Sequence, residues 1–186
     1  MKRIVFDTST FGEIALDEAF LNELAKQVNA SFAVLGSEVI EEELLNTPAG
    51  KKISEGRFKG MSLREFFTTA YKLFIRRSET LLNTDLVEIV AAKYYVVYAK
   101  EASKAGLAKK EVKLLNDFRI VASASLRGAD FLVTADAASM LNSDAINAYK
   151  AVNGVFQLKT PVLLAYGDFK HKFAEIVRDA TGESDD

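Results

Sequence analysis

The stretch from Asn116 to Asp136, which reads NDFRIVASASLRGADFLVTAD, restricts the possible folds more than any other part of the chain. Apolar residues follow Asp117 at i+3, i+4 and i+7, so the spacing predicts a helix whose buried stripe begins with a carboxylate. Gly128 is typical of a helix end. The wholly apolar Phe131 to Val133 then predicts a short buried strand, and Asp136 follows at its carboxyl end.

Two further strand-and-acid pairs occur near the start of the chain. The apolar stretch Arg3 to Phe6 leads into Asp7, and the stretch Phe32 to Leu35 leads into the run Glu41-Glu42-Glu43. In an open parallel sheet, ligands bind outside the carboxyl ends of the strands. Carboxylates gathered there favour a hard cation such as Mg²⁺ or Mn²⁺. The sequence predicts a three-layer α/β/α fold with a four- or five-stranded parallel sheet.

The residues alone do not decide which glutamate of the acidic run is functional. Ser37 predicts the N-cap of a helix with Ile40 on its inner side. At about 100° per residue, Glu42 points away from the apolar side, and Glu41 and Glu43 flank that side equally. The helical wheel therefore excludes one glutamate and leaves two.

The acidic motifs resemble those of a known family. Asp7 in IVFDTST, Glu43 in SEVIEEEL, Asp117 in NDFRIVASA and Asp136 in FLVTAD are similar to the four acidic motifs of PIN-domain nucleases. The resemblance covers roughly residues 1–46 and 110–165, and Ser9 stands where many members have Asn. It implies a PIN-like fold and cleavage of RNA by a Mg²⁺- or Mn²⁺-activated water. The four acids would then be both the catalytic residues and the metal ligands.

The same resemblance implies finer assignments. The Glu-Leu pairing and the distance from Ser37 select Glu43 as the second acid. Thr8, Ser9 and Thr134 are supporting residues, because hydroxyls orient a carboxylate or bind a metal-bound water; the hydroxyls after Asp7 would equally cap a helical turn. Family members include the toxin ribonucleases of toxin–antitoxin pairs, so the expected partners are single-stranded RNA, an antitoxin-like protein and a second copy of the chain.

Charge is distributed unevenly along the chain. Its 186 residues predict one domain over 1–180, with a basic helical insertion at about 47–109 and a disordered acidic tail at 181–186. Residues 47–115 carry +7 and the rest carries −9, for a net charge of −2. Phosphate contacts are expected from a basic loop made of Lys51, Lys52, Arg57 and Lys59. The alternative is that these residues only solvate the surface, and the helix dipole already explains Arg76 and Arg77.

Composition excludes several classes of protein. The absence of cysteine excludes disulfides and thiolate zinc sites, and the single histidine, His171, argues against histidine-based metal sites. No apolar run approaches the roughly 20 residues of a membrane span. Met-Lys-Arg leads directly into a strand without a signal peptide, so a cytoplasmic location is expected.

Two other functions compete with the nuclease. A catalytically silent PIN scaffold would bind RNA or a protein partner, although acids at all four positions argue against it. A phosphatase with an aspartate nucleophile would need Asp-x-Asp-x-Thr after the first strand, and Ser9 stands in place of the second acid.

The remaining periodicity predicts elements of lesser consequence for function. A helix from Asp85 to Ala105 is expected to bury Leu86, Ile89, Val90 and Val97. Its tyrosines are candidates for stacking on bases or for interior or dimer-interface packing, namely Tyr94, Tyr95 and Tyr98. The other predicted elements are a short basic helix from Leu107 to Leu115, a last strand from Val155 to Leu158 and a final helical region beginning at Pro161.

Overall fold

The protein folds around a five-stranded sheet whose strands are all parallel. The computed structural model describes residues 1–75, 79–101, 111–136 and 138–181. The strand order is β3-β2-β1-β4-β5, which confirms the predicted α/β class. The strands are β1 (Lys2–Phe6), β2 (Phe32–Ser37), β3 (Thr80–Leu81), β4 (Phe131–Thr134) and β5 (Val162–Ala165).

Eight described helices connect and cover these strands, and none of them is long and apolar enough to cross a membrane. Their bounds are α1 (Thr8–Leu16), α2 (Glu18–Gln27), α3 (Glu38–Leu45), α4 (Leu63–Phe74), α5 (Asp85–Glu101), α6 (Glu111–Leu126), α7 (Ser143–Phe156) and α8 (Tyr166–Thr181).

Two groups of aromatic rings mark the helical layers on either side of the sheet. Phe20 of α2 packs edge-on against Phe169 and Phe173 of α8. Tyr94 of α5 packs against Tyr149 of α7 at 5.0 Å between ring centroids. Because parallel crossovers are right-handed, the helices between β1 and β3 and those between β3 and β5 cover opposite faces. Helices α4 and α5, which lie in the predicted insertion, contribute buried side chains to the same core as the strands.

The central strand β1 positions Asp7 at the carboxyl ends of the strands, where the acidic edge lies; its acids are Asp7, Glu43 and Asp136, with Asp117 as the fourth candidate. Phe6 is aligned with Val133 of β4, and the backbone N–H of Asp7 donates to the carbonyl of Val133 at 2.9 Å. The side chain of Asp7 accepts from the N–H of Ser9 and caps α1. The hydroxyl run after Asp7 therefore opens a nine-residue helix. Ser37 caps α3 as predicted, with its hydroxyl accepting from the N–H of Ile40.

The predicted last strand, Val155 to Leu158, is wrong. Helix α7 continues through Phe156 and ends where Gln157 adopts a left-handed conformation (φ 55°). The strand is Val162–Ala165, so Pro161 precedes a strand instead of starting a helix. Proline lacks the N–H that a central strand needs, and β5 lies at the edge of the sheet, where that loss is tolerated.

The predicted break between a basic helix and the helix of Asp117 is also wrong. Helix α6 begins by Glu111 and runs without interruption to Leu126, whereas 107–110 lie outside the described residues. Asp117 therefore lies beyond the first turn of this helix. An acid near the start of a helix is ordinarily explained as an N-cap. Asp117 cannot have that role, because it lies inside the helix.

The buried face of α5 differs in part from the prediction. Val90 is fully buried as predicted, but Leu86 and Ile89 are 48% and 49% exposed, and Val87 is fully buried instead. Tyr94 is also fully buried against α7, so it is inaccessible for stacking on bases. The reason is that α5 packs against both α6 and α7, which rotates its contact face away from the one predicted from a single apolar stripe.

Candidate functional site

Asp7 is the acid most firmly held at the carboxyl edge of the sheet. The residue is only 4% exposed. One carboxylate oxygen, Oδ2, accepts from the hydroxyl of Ser9 at 2.5 Å and from the hydroxyl of Thr134 at 3.0 Å. These two supporting residues therefore fix the direction of the Asp7 carboxylate.

Asp136 is joined to the same group through the end of β4. Its backbone N–H donates to the hydroxyl of Thr134 at 2.9 Å, and the N–H of Ala135 donates to the hydroxyl of Ser9 at 2.9 Å. The Oδ1 atom of Asp136 accepts from the N–H groups of Ala138 and Ser139 at 3.2 and 3.1 Å. One oxygen of this carboxylate thus stabilises the turn that follows the strand.

Glu43 reaches the acidic edge from α3. Its Oε2 accepts from the hydroxyl of Thr8 at 2.6 Å, and its Oε1 accepts from the side-chain amide of Asn116 at 2.9 Å. Glu41 instead lines a cavity of about 630 Å³ together with Tyr71. Burial of the Tyr71 hydroxyl raises its pKa to about 12, and the negative charge of Glu41 is a smaller cause of the same shift. Tertiary contacts therefore separate the two glutamates that the helical wheel left equivalent.

Asp117 is also buried and lies on α6. It is 7% exposed. Burial raises the pKa of the Tyr149 hydroxyl well above its ordinary value, and the nearby carboxylates of Asp117 and Asp7 raise it further. Tyr149 is fully buried, and its hydroxyl has no hydrogen-bond partner in the described part of the chain. The carboxylates of Asp7, after the end of β1, and Asp117, on α6, thus influence the same buried tyrosine.

The acidic edge has the donor chemistry of a hard-cation site without a complete protein cage. Within the described ranges, no group of three or more acidic or histidine side chains is arranged to hold a metal ion. Mg²⁺ commonly uses only one or two carboxylates, with water and substrate phosphates as its other ligands. The carboxylate oxygens of Asp7, Glu43, Asp117 and Asp136 are donors of the chemical type that this mode of binding uses, with one or two of the four as direct ligands.

The basic loop is exposed and internally structured. The side chains of Lys51, Lys52, Arg57 and Lys59 are all exposed. The N–H of Ile53 donates to the carbonyl of Met61 at 3.0 Å, which closes the loop on itself. Arg57 also lies 3.7 Å from the carboxylate of Glu18. The two further basic candidates, Arg76 and Arg77, fall outside the described residues.

Two residues to which the sequence assigns no functional role take part in this arrangement. Asn116 precedes Asp117 in the chain, and its side chain contacts Glu43 directly. Arg119 donates to the side-chain oxygen of Asn116 at 2.8 Å. Their i,i+3 spacing places both on one side of a helix, and this is the signal that the sequence offers for their contact.

The comparisons with known proteins give no family assignment. No protein-family model matches the chain, and no curated protein or solved structure is found to be similar to it. The acidic motifs and their placement are therefore the features that bear on function.

Proposed function

We propose that this protein is a Mg²⁺- or Mn²⁺-dependent endoribonuclease acting on single-stranded RNA. The observation that carries the proposal is the hydrogen-bonded placement of Asp7, Glu43 and Asp136 beside the carboxyl ends of parallel strands. Ligands of open parallel sheets bind at this position. The acidic motifs with their PIN-like pattern supply the reaction class.

Each group at the edge has a role in this proposal. Asp7, Glu43, Asp117 and Asp136 would hold the ion, which when bound supplies a water of lowered pKa and neutralises charge on the phosphate. Ser9 and Thr134 hold the Asp7 carboxylate in one direction. The basic loop would contact RNA phosphates, because an acidic edge repels RNA in the absence of metal.

The partners and the location extend the same proposal. A toxin ribonuclease would act in the cytoplasm, and its activity would be restrained by an antitoxin-like protein. A second copy of the chain is the other expected partner. These assignments are supported by the resemblance of the four acidic motifs.

The experiment compares two glutamates of the same helix. Purified wild type, Glu43→Gln and Glu41→Gln are incubated with labelled single-stranded RNA in Mn²⁺ or EDTA. Wild type and Glu41→Gln should cleave only with metal, and Glu43→Gln should lose at least about a hundredfold in rate, or roughly 2.7 kcal/mol. Equal activity of the two variants would reject Glu43 as the second acid.

Two observations favour the second candidate, a catalytically silent scaffold that binds RNA or a protein. The carboxylates of Asp7 and Glu43 already accept hydrogen bonds from neighbouring side chains, and no three-acid group is formed in the described part of the chain. The scaffold predicts RNA binding without cleavage in any metal. A homogeneous preparation that binds RNA and leaves it intact in both Mg²⁺ and Mn²⁺ would support it.

A further inference from the structure

A chain of polar contacts leads away from the acidic edge and has no place in the chemistry proposed above. Glu43 accepts from Asn116 at 2.9 Å, and Asn116 accepts from Arg119 at 2.8 Å. Arg119 in turn donates to both carboxylate oxygens of Glu88 on α5, at 2.9 Å to Oε1 and 3.0 Å to Oε2. Asn83 also donates to Glu88, at 2.9 Å. These contacts connect the acidic edge to α5 through α6.

The chemistry of the amide gives this chain a direction. A guanidinium group has only donors, so Arg119 pairs with the Oδ1 atom of Asn116. The Nδ2 group of Asn116 is then the end that faces the carboxylate of Glu43. A flipped amide would place donor against donor at Arg119 and acceptor against acceptor at Glu43.

Glu88 holds the guanidinium group in place. The side chains of Arg119 and Glu88 are 28% and 42% exposed. The hydrogen bond from Arg119 is the largest cause of the lowered pKa of Glu88. An exposed pair of this kind contributes little to stability, but its two-pronged geometry fixes orientation. Its main consequence is therefore the direction in which Asn116 points.

We propose that Arg119 is a positioning residue that acts through Asn116 to hold the Glu43 carboxylate at the acidic edge. This inference rests on the proposed function for its catalytic meaning. In the chain of polar contacts described above, Arg119 is the side chain that fixes the amide of Asn116. Without it, Glu43 is left without an aligned donor from α6. Thr8 would then be the only side chain of this set that holds Glu43. The ion would bind more weakly because one of its ligands is less well ordered.

The chain offers a matched control one residue beyond the end of the same helix. Arg127 follows α6 and makes an ion pair with Glu79 at 3.2 Å, and its side chain is 31% exposed. It is similar to Arg119 in residue type, exposure and pairing with a preceding element. Its ion pair lies away from Asn116 and Glu43. A general decrease in stability would therefore affect both variants, whereas a failure of positioning would affect one.

The first experiment measures Mn²⁺ affinity by titration calorimetry in wild type, Arg119→Met, Arg119→Lys and Arg127→Met. Arg119→Met should weaken binding about tenfold, at the lower end of the effect of removing an outer-shell partner of a metal ligand. Arg119→Lys keeps a donor for Asn116 and should recover part of the affinity. Arg127→Met should bind as wild type does. Equal affinities for Arg119→Met and Arg127→Met would overturn the proposal.

A second measurement tests whether Arg119 acts through Glu43. In a Glu43→Ala background, Arg119→Met should cause no further decrease in Mn²⁺ affinity, because the group that it positions is gone. An undiminished decrease in that background would overturn the proposal.

A third measurement does not depend on metal. Crystal structures of metal-free Arg119→Met and Arg127→Met should show a displaced Glu43 carboxylate only in the first. An unmoved Glu43 in Arg119→Met would overturn the positioning role. If wild type neither binds Mn²⁺ nor cleaves RNA, the proposed function fails, and the position of Glu43 in these two structures still decides whether Arg119 positions it.

Discussion

The carboxylates at the two edges of the sheet are held in different ways. At the amino edge, Asp130 accepts from the ammonium group of Lys159 at 2.5 Å and from the backbone N–H of Arg3 at 2.7 Å. At the carboxyl edge, Asp7 accepts from two hydroxyls and Glu43 from a hydroxyl and an amide. Within the described residues, no cationic side chain forms an ion pair with either of these two acids.

This contrast separates structural carboxylates from those available to a ligand. An ion pair such as Lys159 with Asp130 compensates the negative charge within the protein. Hydroxyls and amides fix the direction of a carboxylate but leave its charge uncompensated. Asp7 and Glu43 therefore present oriented negative charge at a sheet edge where ligands bind. Under the proposed function, an external cation would compensate this charge.

The largest expected difference between the edges is in RNA cleavage. Asp7→Asn should lower the rate by about a thousandfold, or roughly 4 kcal/mol, because it removes a charged metal ligand. Asp130→Asn makes the same chemical change at the amino edge and should cleave as wild type does. The measurement is single-turnover cleavage of labelled RNA in Mn²⁺. Comparable decreases in both variants would show that the effect is on folding and not on the site.

A smaller difference is expected in metal-dependent stability. Free Mn²⁺ at a hundred times its dissociation constant should add about 2.7 kcal/mol to the free energy of unfolding, because only the folded state binds it. Asp117→Asn should remove most of this increase, whereas Asp130→Asn should keep it. Thermal melts in Mn²⁺ and in EDTA measure the effect. A shift of the same size in Asp117→Asn would locate the ion elsewhere.

The parallel sheet and its acidic edge could be predicted from sequence because both depend on local patterns. Short apolar runs that end in Asp7 and Asp136 define strands and their carboxyl ends without knowledge of the tertiary structure. Strand β3 could not be predicted, because its two residues form a strand only through pairing with β2. The position of β5 was predicted wrongly, at Val155 to Leu158. The apolar residues near Val155 belong to the end of a helix, and those from Val162 form the strand.

The side-chain network required the tertiary structure for a different reason. A helical wheel gives the angle of a residue and not the neighbour that it meets. Glu43 meets Thr8 and Asn116, which are 35 and 73 residues away in sequence. Arg119 meets Glu88 on another helix. Neither contact leaves a periodic signal, so the sequence could favour Glu43 over Glu41 only by resemblance.

RNA binding should separate from the acidic edge, with an effect of roughly tenfold. Lys51→Glu/Lys52→Glu should weaken RNA binding and make it less sensitive to salt. The plot of log affinity against log salt should become shallower by about 0.7 for each phosphate of single-stranded RNA that the loop no longer neutralises. Reversing all four basic residues of the loop should have a larger effect. The control is Lys26→Glu/Lys150→Glu, which makes the same change in net charge at exposed positions outside the basic segment. Equal weakening in both double variants would reject the loop as the RNA-binding surface.

The smallest expected effect concerns acid stability at the amino edge. Burial opposes ionisation of Asp130, but the hydrogen bonds from Lys159 and from the N–H of Arg3 outweigh it and lower the pKa of Asp130 below its ordinary value of 3.8. A carboxyl group with a lowered folded-state pKa stabilises the protein above its unfolded-state pKa. That stability is lost as pH falls through the folded-state pKa.

Asp130→Asn should therefore remove part of the fall in unfolding free energy that wild type shows below about pH 4. The expected part is about 1 kcal/mol or less, because Lys159 is half exposed and solvent screens the pair. Urea unfolding at a series of pH values measures it as the difference between the two curves. Lys159→Met should produce a similar difference, because it removes the cation that favours the ionised carboxylate. Parallel curves for wild type and both variants would show that this ion pair does not distinguish the amino edge energetically, and the contrast with the carboxyl edge would then be one of geometry alone.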